Sequence, residues 1–297
     1  MVSHRLAQNE RDSNVTILVN SQNLIMQTTE NSPVTTGKDI GLLFKPELIR
    51  SLLRSENPKT QTRRIINPQP VLEGESWIWK PKGKPPIALM GHNLVMAEKS
   101  PYQIGDLVYV KESLYLGKDN CWRYATDDAM VEVDKRDEGQ MLYWAHHKTS
   151  DKHNALFMPK FAARIWREIT DVRVQRIADI SQEDAIAEGI DFTYTGSVTR
   201  YNVMCRNYLS TDTVPKFQFS DPRDSFWSLW NSINGKWSSV KEGGKLSSYQ
   251  CHPWNEEDVP PKPLNAIRKD IPCVAIPNPW VWCLTLSTVN CDRNDDE

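Results

Sequence analysis

A long stretch of alternating apolar and polar residues restricts the fold more than any other feature of this chain. It runs from about position 162 to 177 and includes the sequence ARIWREITDVRVQRI from Ala163 to Ile177. Alternation with a period of two is typical of a β-strand with one buried face. Because the stretch is longer than an ordinary strand of five or six residues, it predicts either two consecutive strands or one strand bent by a bulge.

Shorter patterns on both sides of this stretch predict the remaining elements. Apolar runs indicate strands near 41–44, 105–113 and 279–289. Apolar residues at helical spacing, with Pro, Ser or Gly at the ends, indicate helices over 46–54, 181–189 and 224–234. This mixture predicts an α+β fold, a small mixed β-barrel with short helices and long irregular insertions.

Composition divides the chain into three parts. Residues 1–39 are polar and predict a flexible N-terminal arm, and residues 291–297 form an acidic tail. Between them, residues 40–290 are predicted to form a single domain. Segments rich in Pro, Gly, Ser or Lys, or without periodicity, are predicted to be insertions near 68–101, 128–156, 193–222 and 236–277.

The overall charge and the cysteine pattern exclude several classes of protein. A net charge of −2 and a pI near 6.3 exclude a globally basic nucleic-acid coat, so any such contact requires a local patch. No run of 18 apolar residues occurs, so no membrane span is predicted. Six cysteines without a CxxC pair and no recognisable signal peptide favour a reducing cytoplasm. Neither Cys251-His252 nor His146-His147 has a partner pair at zinc-site spacing, so no metal or other cofactor is predicted.

The hexapeptide from Lys59 to Arg64, KTQTRR, is the strongest candidate for chemistry. It places three cations and two hydroxyl groups in six residues where a strand should begin. A pocket that holds a phosphate or polarises a carbonyl needs this mixture of groups. A charged edge strand that resists aggregation would also use Lys and Arg. Both interpretations remain open from this segment alone.

The order of the motifs resembles that of the ASCH family, which has a PUA-like β-barrel. The motifs that match are Lys-Thr-x-Thr-x-Arg, Gly-Asp-x-x-x-Val, Ile-Thr-Asp-Val-x-Val, Ser-x-Glu-Asp-Ala-x-x-Glu-Gly and Phe-x-x-x-Trp-x-x-Ile. Together with the final Asn-Pro-Trp-Val-Trp they are most similar to the long ASCH proteins of bacteriophages and prophages. The matching segments are 41–70, 101–127, 157–192, 224–235 and 278–289.

The resemblance implies a function. ASCH and PUA-like domains bind RNA or modified nucleobases, and a small bacterial branch hydrolyses N4-acetylcytidine to cytidine and acetate. The catalytic positions of that branch correspond by motif to Lys59, Thr62 and Glu188. The neighbouring candidates for substrate binding, from the same motif and from the Gly-Asp pattern, are Thr60, Arg63, Arg64, Tyr109 and Glu112.

The catalytic interpretation makes a geometric demand. Side chains of a regular strand alternate between its faces, so Lys59 and Thr62 would point in opposite directions. Both reach one pocket only if Lys59 lies on the turn before the strand or if the strand is bulged. A neutral Lys59 amine would then take the proton of the Thr62 hydroxyl, which would attack the amide carbonyl.

Two alternatives belong to other classes of protein. The first is a non-catalytic reader of nucleic acid, with RNA favoured over DNA, whose phosphate contacts would come from six arginines: Arg50, Arg54, Arg63, Arg64, Arg164 and Arg167. The second is a phage morphogenesis or host-interaction protein in which the barrel serves only as scaffold. Tryptophans at 166, 227, 230, 280 and 282 would stack on bases in a reader or fill the core in any of these proteins.

Overall fold

The computed structural model describes residues 37–89, 97–132, 137–140, 151–194, 199–202 and 219–288. These residues belong to one compact unit, Thr36–Glu297. Nearly all of the predicted N-terminal arm and the whole acidic tail lie outside the described residues, as do parts of the predicted insertions near 128–156 and 193–222. No helix in the described ranges is both long and apolar enough to cross a membrane.

Short strands dominate the described chain. The first eight strands are β1 (Asp39–Leu43), β2 (Gln61–Ile65), β3 (Val71–Glu73), β4 (Ser76–Trp79), β5 (Ile87–Leu89), β6 (Leu107–Lys111), β7 (Leu114–Leu116) and β8 (Trp122–Tyr124). The next eight are β9 (Lys152–His153), β10 (Trp166–Arg176), β11 (Asp191–Tyr194), β12 (Thr199–Asn202), β13 (Ser238–Glu242), β14 (Lys245–Cys251), β15 (Cys273–Ala275) and β16 (Trp280–Thr288). The α-helices whose full extent is described are α1 (Pro46–Leu52), α2 (Gln182–Ala187), α3 (Pro222–Asn234) and α4 (Leu264–Lys269).

The long alternating segment forms one bent strand at the centre of the main sheet. This sheet has five strands in the order β1-β6-β10-β16-β2. β1 and β6 are parallel, and the other neighbours are antiparallel. The register of β10 against β16 shifts between Ile169 and Asp171, so of the two predicted alternatives the structure has one strand with a bulge.

The α+β class is therefore confirmed, and β1 and β2 are the edges of the main sheet. Within the described residues no backbone ladder joins these two edges. They are linked instead by a side chain, because Arg64 Nη2 donates a 2.9 Å hydrogen bond to the Leu43 carbonyl oxygen. The gap between these two edge strands becomes important for the candidate site.

Two of the insertions are more regular than the sequence predicts. The segment 68–101 contains the antiparallel sheet β3-β4-β5, and the segment 236–277 contains the sheet β13-β14-β15 and helix α4. Strands of three or four residues alternate too few times to stand out in the sequence. The pair Gly243-Gly244, with φ of +56° and +79°, forms the tight turn between β13 and β14. These two insertions therefore contain short sheets that the sequence did not indicate.

Both faces of the final strand β16 are buried, which explains its apolar sequence. Trp282 and Leu284 lie in a cluster with Ile169 of β10. Val281 belongs to a second cluster that contains residues of α2 and α3. The helices thus cover one face of the sheet beside strand β2.

The helix ends follow the predicted capping signals. Pro46 occupies the first turn of α1, where its missing N–H has no intrahelical partner to lose. Ser181 caps α2, since its side-chain oxygen accepts a hydrogen bond of 3.1 Å from the Asp184 backbone N–H. Helix α2 ends at Ala187, so Glu188 and Gly189 follow directly after its last turn.

Replacement of Leu284 by Ala is expected to lower the free energy of unfolding by about 2–5 kcal/mol, because the side chain is fully buried between strands. Leu264→Ala is the matched control, since this leucine is 70% exposed. Urea denaturation of the three proteins measures the difference. Equal losses in both variants would contradict the assignment of β16 to the core.

Candidate functional site

The predicted hexapeptide spans the entry into edge strand β2. Strand β2 begins at Gln61, so Lys59 and Thr60 precede it. Their backbones are anchored, because the Lys59 N–H donates to the Ser51 carbonyl and the Thr60 N–H donates to the Ala187 carbonyl, each at 2.9 Å. Lys59 therefore lies before the strand, which is one of the two arrangements that the catalytic interpretation requires.

Lys59 and Glu188 form a buried ion pair. The Lys59 ammonium lies 2.5 Å from Glu188 Oε2 and 2.7 Å from the Glu188 carbonyl oxygen. The two residues are 1% and 3% exposed. A cation and a carboxylate that are 129 positions apart in the sequence are thus brought into direct contact.

Gly189 permits this contact. Its φ of +95° lies in a region that other residues rarely adopt. A Cβ atom at this position would lie 2.5 Å from Ser51 Oγ and 3.2 Å from Lys59 Cβ. Glycine therefore ends α2 and also allows the chain to pass close to Lys59.

Arg63 extends the ion pair into a network. Its Nη1 donates to Glu188 Oε1 at 3.0 Å, and its Nη2 donates to Asp184 Oδ2 at 2.7 Å. Gln61 Nε2 donates to the other oxygen of Asp184 at 2.8 Å. Glu188 therefore pairs with both Lys59 and Arg63, and Asp184 also binds the Arg63 guanidinium.

Asp184 and Gln61 were missed as site residues in the sequence. Asp184 lies four positions before Glu188, a spacing that places two side chains on the same face of a helix. Gln61 lies two positions before Arg63, a spacing that places both on the same face of a strand. These periodicities could have indicated both residues once Glu188 and Arg63 had been selected.

Burial and charge shift the pKa values of this network in defined directions. Desolvation lowers the pKa of Lys59 below its ordinary value of 10.5, although Glu188 opposes the shift. Burial of Asp184 would raise the pKa of its carboxyl, but the hydrogen bond from Gln61 and the charges of Arg63 and Arg173 outweigh this effect, so its pKa is lowered. Burial thus favours a neutral Lys59 amine, whereas the surrounding cations favour an ionised Asp184.

A cavity of about 210 Å³ opens beside this network, in the gap between β1 and β2. The polar side chains of its wall include Thr62, Arg63, Arg64 and Glu188. Its apolar wall includes Phe44, Phe226, Leu229 and Trp230. Ligand pockets for drug-sized molecules measure roughly 300–1,000 Å³, so this cavity suits a small group such as a single planar ring.

Lys59 lies behind the wall of the cavity and contacts it through Glu188. Among the described hydrogen bonds, those of Lys59 Nζ go to Glu188, and none joins it to Thr62. Thr62 lines the cavity and is 4% exposed. Thr60 instead contributes its backbone, which also accepts a 2.7 Å hydrogen bond from the Leu286 N–H.

Tyr109 and Glu112 lie away from this cavity. The Tyr109 ring packs 5.5 Å from the ring of Trp166 and lies against Gly41 of β1. Glu112 is fully buried and accepts two 2.8 Å hydrogen bonds from Arg164. The structure therefore does not bring these two predicted binding residues together with Lys59, Thr62 and Glu188.

The six arginines that the sequence offered as a phosphate-binding patch all have partners within the protein. Three of them donate to backbone carbonyls of the described chain: Arg50 to Thr126, Arg64 to Leu43 and Arg167 to Leu52. The other three pair with carboxylates: Arg54 with Asp191, Arg63 with Asp184 and Glu188, and Arg164 with Glu112 and Asp127. These six side chains therefore do not form one exposed phosphate-binding surface.

The predicted stacking tryptophans serve mostly as packing. Trp280 and Trp282 lie in the main core, where they pack edge-on against Trp77 and Trp79. Trp230 also belongs to a core cluster but lines the cavity as well, whereas Trp227 donates a hydrogen bond to Asp258. The four described cysteines form no disulfide; one of them, Cys283, lies opposite Arg63 in the pairing of β16 with β2. The described residues also contain no cluster of three metal-ligating side chains.

Comparisons of the chain with protein-family models, with curated proteins and with solved structures found no match.

Replacement of Glu188 by Gln is expected to lower the free energy of unfolding by about 3–5 kcal/mol, because Lys59 and Arg63 would remain buried without their shared carboxylate. Glu183→Gln, at an exposed position of the same helix, provides the control. Chemical denaturation at pH 7 measures both. A loss below about 1 kcal/mol for Glu188→Gln would mean that the ion pair is solvated, as surface pairs are.

The lowered pKa of Lys59 predicts a pH dependence of stability. Between its folded pKa and 10.5, the unfolded chain binds more protons at this position than the folded protein does. The unfolding free energy of the wild type minus that of Lys59→Met should therefore increase with pH through this window. Denaturant titrations between pH 7 and about 10.5 measure the difference. A decrease with pH would show instead that Glu188 raises the pKa of Lys59 above its ordinary value.

Proposed function

We propose that this protein binds a nucleobase or nucleoside in the cavity beside Lys59, and that it hydrolyses the amide of an N4-acetylcytidine-like substrate. The observation that carries the proposal is the convergence of distant motif residues on one small cavity. Thr62 and Glu188 line it, and Lys59 contacts Glu188 from behind. A charged edge strand without a function would not need to bury Lys59 at 1% exposure.

The cavity wall suits a planar, polar ligand. Phe44, Phe226 and Trp230 provide aromatic surface against which a base can stack. Arg63 and Glu188 on the other side provide a donor and an acceptor for its polar edge. A binding site of this kind, mostly apolar with a few convergent polar groups, is typical of small-molecule recognition.

The proposed reaction forms an acyl-enzyme. A neutral Lys59 amine takes the proton of the Thr62 hydroxyl, whose oxygen attacks the acetyl carbonyl carbon. The resulting oxyanion is stabilised by the Arg63 guanidinium at the cavity wall. The C–N bond then breaks, the Lys59 ammonium returns the proton to the departing N4 nitrogen, and water hydrolyses the Thr62 ester to release acetate. For these proton transfers Lys59 Nζ must turn from Glu188 toward Thr62 when the substrate binds.

Glu188 acts as a hydrogen-bond acceptor in this proposal. Its two oxygens accept hydrogen bonds from Lys59 and Arg63. At the cavity wall the carboxylate also accepts a hydrogen bond from the exocyclic N–H of the substrate. It also keeps the Lys59 side chain next to the reacting group.

We also propose that the five-stranded sheet is a PUA-like ASCH barrel whose wall is completed across the gap between β1 and β2. Helix α1 follows β1 in the chain and leads toward Lys59 and β2. The Arg64 side chain spans the gap to Leu43. The unpaired state of the four described cysteines is compatible with action in the cytoplasm, where thiols remain reduced.

The proposal is tested by measuring the release of acetate and cytidine from N4-acetylcytidine. Thr62→Val removes the proposed nucleophile with little change in volume and is expected to lower kcat by at least about 10³-fold. Thr60→Val is the matched control, because its backbone rather than its side chain anchors the site, and its kcat should stay within about threefold of the wild type.

Two results would contradict the amidohydrolase. One is a folded wild-type protein that releases no acetate from N4-acetylcytidine and from related N-acylated cytosines. The other is a Thr62→Val variant as active as Thr60→Val. Mass spectrometry adds an independent readout, since an acetyl ester on Thr62 is detectable when turnover is stopped with acid.

A further inference from the structure

Arg64 differs from the other charged residues around the cavity because no carboxylate pairs with it. Its Nη2 donates to the neutral Leu43 carbonyl, and its guanidinium lies 4.7 Å from the centre of the Phe44 ring. Its Nε is buried and has no hydrogen-bond partner. Within the described chain Arg64 forms no ion pair, so no carboxylate directly contacts its charge.

The neighbouring cations are compensated. Lys59 and Arg63 share Glu188, and Arg63 also binds Asp184. Arg173 also pairs with Asp184 and has a second partner in Asp171, so the network contains three cations and three carboxylates. Arg64 adds a further positive charge, which leaves the immediate surroundings of the cavity with a net charge of about +1 when all groups are ionised.

An uncompensated charge in a desolvated position is unfavourable, and proteins retain such groups mainly where they act on a ligand. Burial lowers the pKa of Arg64 below its ordinary value, although Tyr102 and Glu188 partly oppose the shift. A ligand that brings a negative charge to this end of the cavity would remove the penalty. Guanidinium groups bind phosphate and carboxylate through charge-assisted hydrogen bonds.

We propose that Arg64 makes the cavity selective for an anionic ligand, specifically a nucleoside monophosphate in preference to the neutral nucleoside. This inference rests on the proposed nucleobase pocket and names its substrate class more closely. The cavity would hold only the base, against the aromatic side chains of α3, while the ribose would lie at its opening and Arg64 beside Phe44 would bind the phosphate. The substrate of the reaction would then be an N4-acylated cytidine monophosphate.

A purely structural role of Arg64 makes a different prediction. As a link between β1 and β2, Arg64 would affect stability but would not distinguish charged from neutral ligands. The ratio of two dissociation constants, for cytidine 5′-monophosphate and for cytidine, separates the two roles. A general loss of stability changes both constants together and leaves their ratio unchanged.

The experiment is calorimetric titration of the full-length protein with cytidine 5′-monophosphate, with cytidine and with inorganic phosphate, at a constant ionic strength of about 0.15 M. The wild type is expected to bind the monophosphate about 10- to 100-fold more tightly than cytidine. Arg64→Gln should reduce this preference to less than about threefold while cytidine binding changes little. Arg123→Gln, which removes an arginine paired with Asp119 outside the cavity, should keep the full preference.

Three results would overturn the inference: equal binding of the two ligands by the wild type, an unchanged preference in Arg64→Gln, or the same loss of preference in Arg123→Gln. If Arg64→Gln does not fold, as judged by circular dichroism, Arg64→Lys replaces it. This variant retains a charge but not the guanidinium fork, so a reduced preference that stays above about twofold is expected. Equal binding of both ligands by Arg64→Lys would count against the inference.

Failure of the proposed function gives a different pattern. If the wild type binds neither cytidine nor its monophosphate, the nucleobase pocket is refuted. The titration with inorganic phosphate then tests whether Arg64 binds an anion without a base. Phosphate binding that disappears in Arg64→Gln would support an anion site at Arg64. No phosphate binding would overturn it as well.

Discussion

The buried contact of Lys59 with Glu188, extended by Arg63 to Asp184, is the interaction on which the candidate site depends. Burial of a single one of these charges would be strongly unfavourable, so the four are stable only as a set. They join the entry of β2 to the end of α2, where the Thr60 N–H also donates a hydrogen bond to the Ala187 carbonyl. Because β2 is an edge strand, this network fixes one wall of the gap toward β1.

The same arrangement explains why the cavity lies where it does. Strand β2 has a partner on one side, β16, and faces β1 across the gap on the other. Phe226 and Trp230 of helix α3 line the cavity in this gap, and Arg64 donates a hydrogen bond across it to Leu43. The result is a small cavity with apolar and charged walls. The six arginines that would contact phosphates in a nucleic-acid reader instead have partners within the protein.

The sequence predicted the fold where the pattern was long and failed where it was short. Sixteen alternating residues were enough to indicate β structure at β10 but not to choose between one bulged strand and two strands, and capping residues indicated α1, α2 and α3. Strands such as β3 to β5 contain three or four residues, which is too few to distinguish from a loop. At the site, the motif supplied Lys59, Thr62 and Glu188, but it also supplied Tyr109 and Glu112, which belong to other parts of the fold.

The sequence by itself determined the α+β class, the order of the principal elements and the residue types of the hexapeptide, because each depends on neighbours within about twenty positions. Only the tertiary structure decided which charges meet. The contact between Lys59 and Glu188 joins residues 129 positions apart, and it requires the positive φ of Gly189 and the pairing of β2 with β16. Local patterns carry no information about such contacts, since side chains distant in sequence are brought together by packing of the whole sheet against its helices.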